Sequence, residues 1–121
     1  DFSEFTNEVV SELLDNNKDI EAICFANDKM AIGGYQELER RGIKIGSDIL
    51  VTGFDDSAFG KNFRVPLTTV QHPQEQLGEA AANLLIRLMK GTVAEEDKHI
   101  IMEPKLVIRS STQNRIYEDK E

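Results

Sequence analysis

The stretch Phe25-Ala26-Asn27-Asp28-Lys29-Met30-Ala31 lies between two kinds of sequence. Before it runs a short apolar segment, Ala22-Ile23-Cys24-Phe25, too short for a helix and preceded by the charged break Lys18-Asp19. After it, Met30 to Arg41 carries apolar residues at helical spacing and ends at Gly42, with Arg40 and Arg41 in the last turn. Cations before a terminal glycine are the usual helix exit. The stretch therefore reads as a strand-to-helix junction, with an Asn-Asp pair where the strand stops.

The same alternation extends along the chain. Phe2, Phe5, Val9 and Leu13 recur at helical spacing, widened by Val10 and Leu14, with Ser3 as the expected N-cap. Ile49 to Phe54 predicts a second strand, closed by Asp55-Asp56-Ser57, and Leu67 to Val70 a third short segment. Pro73 opens a helix with Leu77, Ala80, Ala81, Leu84, Leu85 and Leu88 on one face, stopped by Gly91. Leu106-Val107-Ile108 predicts a last strand, and the tail from Gln113 is polar. Strands alternating with helices predict an α/β fold of three layers: a mainly parallel sheet with helices on both faces. In such sheets ligands sit beyond the carboxyl ends of the strands. Both Asn27-Asp28 and Asp55-Asp56 fall at such ends.

A chain of 121 residues fits one domain with a real core, and 40% apolar with 30% charged residues is a globular composition. Acids outnumber bases 22 to 14, a net charge of -8 that repels a phosphate backbone. Contact with DNA therefore needs another segment. No apolar run approaches the roughly 20 residues of a membrane span. The single Cys24 lies in an apolar run, which predicts a small buried side chain; one cysteine makes no intrachain disulfide, which favours a reducing, cytoplasmic setting.

The acidic pairs admit two readings each. Asx residues cap helices by accepting from free backbone N–H groups. If Asp28 caps, the Asn27 amide is left at the strand end, able both to donate and to accept, which suits vicinal hydroxyls or a heterocycle edge. For Gly53-Phe54-Asp55-Asp56 one reading is a strand exit into an Asx turn. The other has Asp55 point from its strand end toward the same crevice, where a carboxylate accepts from two donors at once, with Asp56 as the turn or cap residue. Enzyme readings fail on their requirements. A phosphate-accepting receiver domain needs its acidic pair early in the chain, a haloacid-dehalogenase-type phosphatase needs two Asp with one residue between them whereas Asp55 and Asp56 are adjacent, and no Gly-rich phosphate loop occurs. His72 and His99 lack metal-ligand spacing, so no metal or cofactor is expected. Gly33-Gly34 within a helix predicts close packing on the sheet, whereas Ile32 and Tyr35 are expected to be exposed and to form a subunit contact.

These motifs resemble a known set. Ala26-Asn27-Asp28-Lys29-Met30-Ala31-Ile32-Gly33, Arg41-Gly42-Ile43-Lys44-Ile45-Gly46-Ser47-Asp48-Ile49-Leu50-Val51 and Gly53-Phe54-Asp55-Asp56 resemble the effector domain of the lactose/galactose repressor family. Pro66-Leu67-Thr68-Thr69-Val70, Leu77-Gly78-Glu79-Ala80-Ala81 and Leu106-Val107-Ile108-Arg109-Ser110-Ser111-Thr112 continue the match in order, so that it covers about Phe2 to Thr112.

The resemblance implies a periplasmic-binding-protein-like fold in which two α/β lobes close on a small effector. This chain corresponds to the C-terminal lobe, with a core of 1–71 and 104–112, a crossover segment 73–102 that packs on the N-terminal lobe, and a polar tail 113–121. Asn27 and Asp55 correspond to residues that hydrogen-bond a polyhydroxylated effector, usually a sugar. His72 falls where many members have a Gln that reaches the ligand. Ile32, Tyr35, Gln36 and the segment around Phe63 correspond to the family's homodimer face. A transcriptional regulator is implied, with DNA bound by an N-terminal head outside this chain. The same lobe joined to a histidine kinase or diguanylate cyclase, or serving as a sugar-transport binding protein, is the alternative.

Overall fold

The computed structural model describes residues 2–113, with side chains from Phe5 onward. Most of the polar tail, 114–121, lies outside the described residues, and so does the side chain of Ser3. The chain divides into two compact units: Asp1–Gln71 with Leu106–Glu121, and His72–Lys105.

In the first unit, helix α1 (Phe2–Asn16) leads to strand β1 (Ala22–Cys24), helix α2 (Asp28–Arg40), strand β2 (Leu50–Thr52), the short helix α3 (Ala58–Lys61) and strand β3 (Thr69–Gln71). Strands β1 and β2 pair in parallel, with Ala22 opposite Leu50, Ile23 opposite Val51 and Cys24 opposite Thr52. A parallel bridge from Thr52 to Thr68 carries the pattern toward β3, which groups with β4 (Lys105–Val107). The architecture is mixed helix and strand with short, largely parallel pairings. Among the described residues the strands form two pairs, not one long ladder. Ile23, Phe25, Ala31, Leu38, Val51 and Leu67 form the centre of the core, with Val10 and Leu14 joining from α1.

Three expectations are corrected by packing. The α1 row that meets the core is Val10 and Leu14 with Thr6, whereas Phe5, Val9 and Leu13 are exposed. A helix with two adjacent apolar rows does not announce which row is covered. Cys24 is exposed, not buried: only the middle residue of β1, Ile23, turns its side chain into the core. Tyr35 is buried, not exposed, and its hydroxyl donates to the Val65 carbonyl at 2.8 Å. Its ring lies 4.7 Å from that of half-buried Phe63. Burial pushes the Tyr35 phenol above its ordinary pKa. Of the four residues aligned with a dimer face, Ile32 is half-buried and Gln36 exposed.

Close approach explains Gly34. A Cβ there would stand 2.1 Å from Cζ of Phe25, so helix α2 rides directly on the ring. The α1–α2 junction is fixed by charge. Glu37, 1% exposed, accepts from Arg40 at 2.6 and 2.8 Å and from Arg41 at 2.6 Å. Arg41 also reaches Asp15 at 2.8 Å and the Ser11 hydroxyl at 2.8 Å on α1. Hydrogen bonds from Arg40 and then Arg41 hold the Glu37 carboxyl down to about 2.

The second unit contains helix α4 (Gln74–Met89), a single 3-10 turn over Glu95–Lys98, and an extended segment after it. None of the described residues of α4 is buried. Leu77, Ala80, Ala81 and Leu84 line a groove with Ile100 and Ile101, while Leu85, Ile86, Leu88 and Met89 remain exposed. Among the described residues no helix is long and apolar enough to cross a membrane.

Candidate functional site

Parallel pairing of β1 and β2 brings the two acidic junctions to the same edge of the sheet. Asn27 and Asp55 each stand three residues past a paired strand end, Cys24 and Thr52 respectively. The pairing runs on beyond the strands, since Phe25 N donates to Thr52 O and Asp28 N to Phe54 O, both at 2.9 Å. The half-buried Asn27 and Asp55 are thus brought to neighbouring loops at the carboxyl ends of adjacent strands.

Within the first pair the cap falls to Asn27 and not, as the sequence suggested, to Asp28. Asn27 is the N-cap of α2: its backbone is extended, and its Oδ1 accepts from Met30 N at 2.8 Å. That bond occupies the carbonyl end of the amide and leaves Nδ2 to donate elsewhere. Asp28 is not the cap. It is the first residue of α2 and is fully buried, and its carboxylate accepts from Ser57 N at 2.7 Å and from the Thr69 hydroxyl at 2.6 Å. Capping motifs do not separate an Asx that stops at the cap from one that reaches across to the next loop.

The second pair has an unusual backbone. Asp55 and Asp56 both have positive φ, 108° and 51°. Asp tolerates the left-handed region better than most residues, but φ near 108° lies outside the small well open to L-residues and stores strain. Asp56 lies in this left-handed turn, and Ser57 holds the N-cap position of α3. The Asp56 carboxylate is nearly buried and accepts from Arg109 at 2.6 Å, with Lys61 at 3.8 Å. Arg109 also donates to the Leu67 carbonyl at 2.9 Å.

Sequence reasoning missed the knot beneath this loop. Ser111, fully buried, accepts from Thr68 N at 2.8 Å and donates to the Val51 carbonyl at 2.6 Å. The Thr68 hydroxyl accepts from Arg109 N at 2.8 Å. The last motif therefore ties β2, the Thr68–Thr69 segment and the Asp55–Asp56 loop together. A run of Arg-Ser-Ser-Thr after an apolar strand was the available signal. His72 opens the second unit, where its ring is 3.2 Å from Nε2 of Gln74.

Residues 3–112 match the periplasmic binding protein-like domain. The lactose operon repressor of Rhizobium radiobacter is 34% identical over 93 residues, covering 77% of this chain and 80% of that one. The chain belongs to the LacI/GalR family. Two solved LacI/GalR structures show the likeness in three dimensions. A LacI-family regulator from Arthrobacter sp. FB24, in complex with lactose, aligns with a TM-score of 0.82 at 27% identity, covering 92% of this chain and 42% of that one. A lac repressor dimer bound to operator aligns with a TM-score of 0.84 at 26% identity, covering 92% and 33%. This LacI/GalR chain spans about a third of the length of the first curated relatives it matches, 30% and 31%.

Proposed function

We propose that this chain is the effector-sensing lobe of a transcriptional regulator and that its effector is a small polyhydroxylated compound, a sugar. The juxtaposition of Asn27 and Asp55 at equivalent positions past paired strands carries this reading. The Asn27 amide nitrogen and the Asp55 carboxylate supply a donor and an acceptor, the combination that vicinal hydroxyls satisfy at once. His72 is assigned as a third ligand group on the family resemblance alone. Lactose in the Arthrobacter regulator supports the ligand class.

Ligand acts through its different affinities for open and closed lobes, and closure alters how DNA-binding heads outside this chain are presented. The chain pairs with a second copy, as in the operator-bound lac repressor dimer, through Ile32, Gln36 and the edge of Phe63, with Tyr35 supporting them from the core. The proposed regulator is not an enzyme. The matched proteins are regulators, which favours this reading over a kinase-, cyclase- or transporter-linked sensor. Residues 73–102 pack on the N-terminal lobe of the full protein, which covers the face left exposed on α4.

A thermal-shift screen of mono- and disaccharides on the full-length protein tests the function, because a ligand specific for the native state raises the melting temperature. A dose-dependent rise with one sugar class is expected. A flat response across the panel contradicts the proposal.

A further inference from the structure

One residue closes both ends of the strained loop. Asp28 donates its backbone N–H to the Phe54 carbonyl at 2.9 Å and accepts the Ser57 N–H on Oδ2 at 2.7 Å. Phe54 and Ser57 flank Asp55 and Asp56, so Asp28 forms a chord across a four-residue segment whose two central residues have positive φ. The other oxygen, Oδ1, accepts from the Thr69 hydroxyl at 2.6 Å. Thr69 Oγ1 in turn lies 3.4 Å from Asp56 N, and Asp55 N donates to Val70 O at 2.9 Å. Asp28 therefore acts on the loop directly and through Thr69.

The surroundings are shaped for this carboxylate. A Cβ at Gly53 would stand 2.3 Å from Asp28 Oδ1 and 2.9 Å from Leu67 Cδ2. At Gly60 it would stand 3.3 Å from Oδ2. Two glycines thus leave space for a fully buried carboxylate that neither the core nor a helix cap requires. Strained backbone persists only where its surroundings over-determine it. Here Arg109 holds the Asp56 carboxylate and Val70 O the Asp55 amide, and Asp28 is the residue that fastens both flanks of the turn.

We propose that Asp28 is a positioning residue for the effector site: by bridging Phe54 and Ser57 it imposes the left-handed backbone from which Asp55 presents its carboxylate. The proposal rests on the assignment of Asp55 to the effector. It adds that the loop is set before ligand arrives, so that Asp55 is not ordered at the cost of binding energy.

The test is made on the ligand-free full-length protein, with hydrogen exchange at the Ser57 amide and the crystallographic φ of Asp55 as readouts. Asp28→Asn keeps the size but replaces one acceptor oxygen with an NH2 group. It is expected to speed Ser57 exchange by about tenfold or more, since local opening governs exchange, and to release Asp55 from positive φ, while α2 amides keep their protection. If Asp28→Asn does not fold, Thr69→Val, which removes only the hydroxyl, gives the same pattern in weaker form. Adding Asp55→Gly is the rescue, because glycine adopts positive φ without strain. The double variant Asp28→Asn/Asp55→Gly regains most of the Ser57 protection. Asp55 held at positive φ in the Asp28→Asn or Thr69→Val protein, with Ser57 exchange unchanged, overturns the proposal. Failure of the Asp55 assignment shows separately, as sugar binding that Asp55→Ala leaves intact.

Discussion

The Asp28 carboxylate accepts the Ser57 amide at 2.7 Å, a bond between the first turn of α2 and the loop that follows β2. Sequence separation between them is large, yet the parallel register of β1 and β2 makes them neighbours. The bond marks the loop as a constructed feature of the site.

Strain at position 55 predicts a difference between two substitutions that both remove the carboxylate. Asp55→Gly adopts φ of 108° without a Cβ penalty, whereas Asp55→Ala does not. Urea denaturation should find Asp55→Gly more stable than Asp55→Ala by about 1 kcal/mol, the lower end of such backbone strain. Equal stabilities would show that the backbone at 55 is relaxed.

Much of this was legible in the sequence. The junction Phe25–Ala31 located the strand end and the helix start, and the α/β order followed from it. Gly34 was legible as a close approach, although not toward Phe25. The division of labour between Asn27 and Asp28 was not, because either Asx satisfies a cap and only the tertiary position of Ser57 and Thr69 decides. Tyr35 was misplaced because helical spacing does not say which apolar side chain finds a carbonyl, here that of Val65. The Arg109–Asp56 pair joins residues 53 apart, a separation over which local pattern carries no signal.

Gly34→Ala sets helix propensity against packing. Replacing a mid-helix glycine ordinarily gains about 1 kcal/mol. Here the added methyl meets Phe25 Cζ at 2.1 Å, and overpacking of that kind costs about 1–3 kcal/mol. The denaturation midpoint should fall. A higher midpoint would mean that the Phe25 ring moves aside freely.

Glu37 gives a pH dependence. Its carboxyl is lowered from 4.5 to about 2 by Arg40 and Arg41, so the folded state binds its proton less readily than the unfolded chain. The stability it contributes is complete above about pH 4.5 and is lost as pH falls through that interval toward 2. Denaturation followed across this window should show an acid limb that Glu37→Gln flattens. An identical limb in the variant would place the acid sensitivity in other carboxylates.

Helix α4 should differ between the 121-residue chain and the full-length protein. With none of its described residues buried here, the amides of 74–89 should exchange faster than those of α2. Restoring the N-terminal lobe should slow them by about tenfold or more, because burial removes local openings. Unchanged exchange in the full-length protein would show that this lobe does not cover α4.

In the proposed regulator, Asp55 holds the effector. Calorimetry on the full-length protein, using the sugar with the largest thermal shift, measures this directly. Loss of a hydrogen bond to a charged group costs about 2 kcal/mol, so Asp55→Ala should weaken binding by roughly 30-fold. An affinity within about twofold of wild type would contradict the account, since so small a change corresponds to well under 1 kcal/mol.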